Sequence, residues 1–183
     1  MDALDNILNR VSARNLIQPH PDKNELKIVY KAALRAPDHA WLRPSRFIEV
    51  SGDGMSKLSS IFEEYSLTID DISPEVAEKY KNAPYRAPMI IILINSYKEH
   101  PKVPAIEQKL STAAAAQNIM LALNAMKYSA IWRTGKLAFN RFVSNKLGLK
   151  NTEEILGYLY VGTSDGKNKK VPELDIDNFV SRL

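Results

Sequence analysis

The chain has 183 residues, with 25 Lys and Arg against 21 Asp and Glu, a formal net charge of +4 and no cysteine. A single domain of this size buries roughly 70% of the surface its unfolded chain exposes and needs no covalent staple, and the missing thiols exclude disulfides, thiolate catalysis and cysteine-ligated metals. The basic residues are scattered among acids, which argues against a nucleic-acid-binding arm, and their densest group, Lys167, Lys169 and Lys170, reads as a solvated loop.

The opening Met1-Asp2-Ala3-Leu4-Asp5 carries two acids and no apolar run, unlike a secretory signal. Asp2 can cap a first helix that places Leu4, Ile7 and Leu8 on one face. Pro19 and Pro21 punctuate the connection. Asp22 and Glu25 then form a D-x-x-E start resembling a capping box, followed by Leu26, Val29, Tyr30, Ala33 and Leu34 at helical spacing, so Lys23 to Arg35 is predicted as an amphipathic helix. Pro37 ends it, because proline disfavours helical geometry at the residue before it. The segment to Pro44 reads as a loop, Arg46 to Ser51 as a strand, Ser51-Gly52-Asp53-Gly54 as a turn, and Lys57 to Tyr65 as a helix.

Ser73-Pro74-Glu75 has the form of a helix start with proline in the first position, and this helix is expected to run to about Asn82. Met89 to Ile94 is a continuous apolar, largely β-branched run with no polar face, which belongs in the middle of a sheet covered on both sides. A long helix is expected from about Pro104 to Met126, with so many alanines that neighbours can approach its axis closely. Its apolar stretch from Ala113 contains Gln117, Asn118 and Asn124 and falls short of the ~18 apolar residues a membrane span requires. Ser129 to Thr134 and Ile155 to Gly162 read as strands, with a helix from Asn140 to Leu147 between them. Interspersed helices and strands, two of the strands fully apolar, imply one layered α/β or α+β domain over 1–183. The expected location is the cytoplasm, with no membrane partner.

Neither common nucleotide-binding glycine motif is present, nor G-x-S-x-G, nor H-E-x-x-H. The three histidines, His20, His39 and His100, fall in separate loops, so no metal site is expected. Three arginine-centred segments remain. In Asn9-Arg10-Val11-Ser12-Ala13-Arg14, two guanidinium groups and a hydroxyl could clamp a phosphate by bidentate hydrogen bonds; equally, Arg10 could favour the helix C-terminal dipole while Arg14 is solvated. In Arg35-Ala36-Pro37-Asp38-His39, a cation and a histidine on a rigid loop could address a ligand, or Arg35 could simply complement a helix end. In Ala130-Ile131-Trp132-Arg133-Thr134-Gly135, an aromatic beside an arginine suits stacking and anion contact, or is a core tryptophan next to a surface charge.

In this order and at these separations, the three segments resemble the nitroreductase family, most closely its small bacterial NAD(P)H nitroreductases. Asn82-Ala83-Pro84-x-Arg86-Ala87-Pro88, Lys102-Val103-Pro104 with Glu107-Gln108, and Gly157-Tyr158-Leu159-Tyr160-x-Gly162-Thr163 extend the likeness over nearly the whole chain. The resemblance implies a three-layer α/β/α fold of the α+β class around a mostly antiparallel sheet, and an intertwined homodimer with FMN at its subunit interface. It implies FMN contacts from Arg10, Val11 and Ser12 and from Ile131, Trp132 and Arg133 of one subunit, with Arg35 and His39 from the other. Arg10 and Arg133 are then candidates to clamp the phosphate, Ser12 for the ribityl chain or phosphate, and Arg14 for the pyrimidine edge. It places NADH or NADPH near Leu121, Ala122, Leu123, Asn124, Ala125 and Met126, whose simpler reading is packed helix.

The function so implied is transfer of reducing equivalents from NAD(P)H to a nitro compound, quinone or other small acceptor. One site used twice gives ping-pong kinetics, and no side chain need act as acid or nucleophile because the cofactor carries the hard step. The alternative is a flavin-binding protein with little or no reductase activity. The sequence departs from the family where Arg43-Pro44-Ser45 replaces a common Gln-Pro-Trp, and where Ser129 and Ala130 replace a usual glycine pair. These departures bear on acceptor choice and turnover.

Overall fold

The computed structural model describes residues 2–166 and 170–183. Lys167 and Lys169 of the basic loop expected above lie outside the described residues, and Lys170 is exposed. Five strands, β1 (Leu16–Ile17), β2 (Ser45–Ser51), β3 (Met89–Ser96), β4 (Ser129–Arg133) and β5 (Glu153–Ser164), form one sheet. Its order is β1-β5-β3-β2, with β4 also paired to β5, and every ladder is antiparallel. The long β5 serves as the hub: β3 lies along one edge, and β4 and β1 share the other.

The apolar run in β3 behaves as its composition predicts. Met89 through Ile94 are at most 1% exposed, and successive side chains alternate between two cores. Ile90, Ile92 and Ile94 meet Leu58, Phe62, Tyr158 and Tyr160 on one face. Met89, Ile91 and Leu93 meet Val29, Ala33, Ala115, Ala116, Ile119 and Leu123 on the other. The second face is covered by α2 (Lys23–Ala33) and α5 (Ala105–Ala125), whose alanines allow the close approach expected of them; Asn118 Nδ2 donates to Ala32 O at 3.1 Å across the seam. The first face is covered by α3 (Asp53–Ser66), α4 (Pro74–Lys81), the short α6 (Lys136–Phe139) and α7 (Arg141–Lys146). Two helical layers thus enclose an antiparallel sheet.

Local chemistry explains most boundaries. Asp22 accepts from Asn24 N and Glu25 N while Glu25 accepts from Asp22 N, completing the capping box of α2. That helix stops at Ala33, slightly before the expected Arg35, because Pro37 is already constraining Ala36. Helix α3 begins earlier than expected: Gly52, at φ +51°, makes the turn, and Asp53 and Gly54 are already helical. Strand β1 and helix α6 carry too few residues to show periodicity, and neither is expected from the sequence.

Helix α1 (Ala3–Asn9) forms where expected, with Asp2 accepting from Leu4 N at 2.8 Å. Its apolar stripe, however, is left largely uncovered by the described residues: Leu4, Ile7 and Leu8 are 67%, 51% and 67% exposed. The helix instead meets α5 through amides, with Asn6 Nδ2 donating to Leu121 O and Asn124 Nδ2 donating to Asn6 Oδ1. Among the described residues, no helix is long and apolar enough to cross a membrane.

Candidate active site

After α1 the chain turns extended at Arg10 and runs beside the start of β4. Ser12 forms an isolated parallel bridge with Ala130, and Ala13 N donates to Ala130 O at 3.4 Å. Ala13 and Leu16, 5% and 6% exposed, anchor this strip in the core, while Arg10, Val11 and Ser12 stay half-buried and Arg14 is exposed. Two motifs more than a hundred residues apart are thereby adjacent.

Alternation along β4 sends Ile131 to the α3 side of the sheet and Trp132 to the α5 side. Trp132 lies against Gly157: a Cβ there would sit 2.1 Å from the indole Nε1. The indole N–H donates to Leu156 O at 3.3 Å. Gly157 faces Leu93 at a bulge where β5 carries one extra residue, Leu156, relative to β3. The bulge and the missing Cβ together make the berth for the ring.

Arg133 returns to the α3 side, with its guanidinium 5.4 Å from the centre of the Tyr160 ring. Its Nε is buried and has no hydrogen-bond partner, an arrangement that costs free energy unless a ligand supplies an acceptor. A cavity of about 400 Å3 opens here, lined by Arg14, Asn15, Leu16, Ile17, Arg86 and Arg133. Burial, followed by repulsion from Arg86, holds the Arg133 guanidinium below its usual range, with Tyr160 opposing and Arg14 adding to the effect. None of the three arginines forms an ion pair among the described residues. The result is a concave, cation-rich surface with no carboxylate among its lining residues. It suits an anion.

Arg35 and His39 lie elsewhere in the chain. Both are exposed on the loop after α2, and His39 Nδ1 pairs with Glu107 Oε2 at 2.6 Å near the start of α5. A second cavity, of about 340 Å3, lies beside His39, Glu107 and Leu110. The loop is braced by Asp38, which accepts from Arg43 N at 2.9 Å and from Arg43 Nη1 at 3.3 Å. Ala40, Trp41 and Arg43 all have φ between +52° and +56°, a left-handed geometry whose strain concentrates at ligand sites. Glu107 and Leu121 mark the two ends of α5, about 21 Å apart at the rise of an α-helix. Since Leu121 contacts the first motif's helix and Glu107 contacts His39, one chain does not bring the two groups together.

Leu121 to Met126 close α5. Leu123 is fully buried in the core, while Leu121 and Asn124 hold α1 through Asn6. In this chain the stretch is a packing segment with a half-buried margin. At the departures from the family pattern, Arg43 is tied to Asp38, and the Ser45 hydroxyl lies 3.2 Å from Thr112 Oγ1. Among the described residues, no group of three or more metal-ligating side chains could hold a metal. Arg86 joins the cavity of Arg14 and Arg133 without a motif of its own to mark it; its signal in the sequence is a cation between two prolines at the mouth of the most apolar strand.

Comparison with known proteins gives a consistent result. The family model described as "Nitroreductase family" matches residues 7–163. The chain is 34% identical over 163 residues, 89% of its own length and 88% of the relative's, to Escherichia coli K12 YdjA, whose name designates an NAD(P)H nitroreductase. It is 29% identical over 185 residues, spanning all of both chains, to a Haemophilus influenzae protein similarly named. Among solved structures, a nitroreductase-like family protein from Bacillus cereus superposes with a TM-score of 0.85 at 22% identity, covering 100% of this chain and 96% of that one. NfnB from Sphingopyxis sp. strain HMH, described as an FMN- and NADPH-dependent nitroreductase, superposes with a TM-score of 0.78 at 18% identity, covering 100% of this chain and 99% of that one. The layered fold, the joined arginine motifs and these likenesses lead to one conclusion: the chain belongs to the nitroreductase family.

Proposed function

We propose that the protein is an FMN-dependent oxidoreductase, active as a homodimer, that passes reducing equivalents from NAD(P)H to a small acceptor such as a nitro compound or quinone. The observation that carries this reading is the buried, partnerless Nε of Arg133 beside the Ser12–Ala130 bridge, where two distant motifs converge on a basin with no carboxylate in its lining. Such a donor set fits a phosphate-bearing cofactor. When bound, FMN would take a hydride from the nicotinamide and deliver reducing equivalents to the acceptor.

The protein's own contribution is positioning. Arg10 and Arg133 supply cations for the phosphate, Ser12 supplies a hydroxyl for the ribityl chain or phosphate, and Val11, Ile131 and Trp132 furnish walls. Trp132 is held by Gly157 and Leu156 O, so its ring is fixed before any ligand arrives. Arg35 and His39 serve the partner's site in this reading. Support comes from their position at the far end of α5 and from the uncovered stripe of Leu4, Ile7 and Leu8. Exposed Ile106 and Leu110 on α5, and Phe179 and Val180 near the C-terminus, add apolar surface for a second copy. Leu121 to Met126 would offer only its half-buried margin to the nicotinamide nucleotide.

The test is to release and identify the cofactor of the purified protein, then titrate the holoprotein anaerobically with NADH and NADPH. A yellow protein that bleaches on titration is expected. Colour that persists would favour the alternative, a flavin-binding protein without reductase activity. A colourless protein that takes up no added FMN would overturn the proposal.

A further inference from the structure

Arg86 occupies the turn Pro84–Arg86 that delivers the chain into β3. Pro84 is buried and Ala87 is 5% exposed, so the backbone on either side of the turn is anchored. Arg86 itself is half-buried, and no hydrogen bond or ion pair from its side chain occurs among the described residues. It lines the same cavity as Arg14 and Arg133. Tyr160 links them further: its ring lies under the Arg133 guanidinium, and although burial raises its phenol pKa, Arg86 and Arg133 both oppose the rise.

Three guanidinium groups with no carboxylate among them repel one another across a partly desolvated space, where screening is weaker than in bulk water. A fold gains nothing from that arrangement unless an anion settles in it. Asn15, the remaining polar side chain of the cavity wall, is already tied to Asp165 at 3.0 Å, on the exposed margin. The basin is therefore a receptor with three cations, of which only Arg133 is one of the two arginines first assigned to the phosphate; Arg10 is not among its lining residues.

We propose that Arg86 is a third cation of the cofactor site, acting with Arg14 and Arg133 on negative charge carried by FMN. The inference rests on the reading that this crevice binds FMN. That charge has two sources on one molecule: the phosphate monoester, dianionic near neutral pH, and the pyrimidine edge of the ring after reduction. Either is met by the same chemistry, a planar guanidinium presenting paired donors.

The experiment compares wild type, Arg86→Gln and Arg86→Lys, each stripped of cofactor, for affinity toward FMN and toward riboflavin, and measures the midpoint potential of the reloaded proteins. Arg86→Gln is expected to weaken the cofactor interaction at least about tenfold, with Arg86→Lys recovering part of the loss because it keeps the charge. A loss confined to FMN, with riboflavin unaffected, assigns Arg86 to the phosphate. A lowered potential, equivalent to at least about tenfold weaker holding of the reduced than of the oxidised cofactor, assigns it to the ring. Wild-type protein that binds FMN while both variants match it in affinity and potential would overturn this inference and leave the proposed function standing. Wild-type protein that binds no FMN would overturn both. If Arg86→Gln does not fold, Arg86→Lys decides alone: wild-type FMN affinity and potential despite the lost bidentate geometry would count against the proposal.

Discussion

Replacing Gly157 by alanine tests how the β5 bulge holds Trp132. The added Cβ would lie 2.1 Å from Trp132 Nε1, 2.7 Å from Cδ1 and 2.9 Å from Arg133 O. The backbone oxygen belongs to the β4–β5 ladder and has little room to move, so the indole must leave. Forcing an extra carbon into a filled space costs about 1–3 kcal/mol. The φ of +151° is one that side-chain-bearing residues rarely adopt, adding about 1–3 kcal/mol, and the lost bond to Leu156 O adds about 1 kcal/mol. The sum is at least about 3 kcal/mol, which for a domain of this size lowers Tm by about 6–12 °C. Thermal melting followed by circular dichroism measures the loss. Tryptophan emission reports the ring, because Trp41, the other tryptophan, is already 77% exposed. In a Trp132→Ala background the clash with the indole should vanish and only the tight contact with Arg133 O remain, so the two substitutions should cost less together than their sum. A melting point within about 2 °C of wild type, with unshifted emission, would refute the reasoning.

Other perturbations probe the remaining features. Glu153 is 5% exposed and accepts from Arg46 at 2.8 and 3.0 Å and from Lys150 N at 2.9 Å; the Arg46 hydrogen bond holds its carboxyl below the usual range. A carboxylate depressed in the folded state contributes stability above the ordinary carboxylate pKa and loses it as pH falls through the folded value. Arg46→Met should therefore move acid unfolding to higher pH; because Arg46 is itself 42% exposed, the loss at neutral pH should be only about 1.5 kcal/mol, and superimposable acid-unfolding curves would contradict this. Arg10→Ala should weaken FMN binding by at least about 1.5 kcal/mol in a fluorescence titration, and unchanged affinity would remove Arg10 from the site. His39→Ala should also weaken FMN binding, and full retention would end the cross-subunit assignment. Leu8→Glu should shift sedimentation toward single chains, while an intact dimer would show that α1 does not form the seam.

The elements readable in the sequence were those whose pattern is set locally. The apolar run of β3, the D-x-x-E start of α2 and the proline at the head of α4 each reflect a constraint acting within a few residues. What escaped depends on contacts across the chain. Strand β1 is two residues long and exists because Leu16 and Ile17 meet Ser164 and Thr163. Gly157 looked like any glycine in a strand until the register of β4 put an indole on it. The site divides in the same way. Arg10, Ser12 and Arg133 are expected at the cofactor from a family resemblance, and a Ser12–Ala130 bridge brings their segments side by side. The role proposed for Arg86 was not legible because its relation to Arg133 passes through Tyr160 on a third strand, a relation that chain order hides. The apolar stripe of α1 was legible as a stripe, but a helical pattern does not reveal whether its cover belongs to the same molecule.

The length of α5 has a genetic consequence. In the homodimer proposed above, each crevice draws Arg10 from one polypeptide and His39 from the other. Mixing a subunit defective only at Arg10 with one defective only at His39 would give hybrids in which both lesions fall in the same crevice. The opposite crevice is then assembled wholly from undamaged parts, so two inactive alleles would restore function in the hybrid, at half the number of working centres.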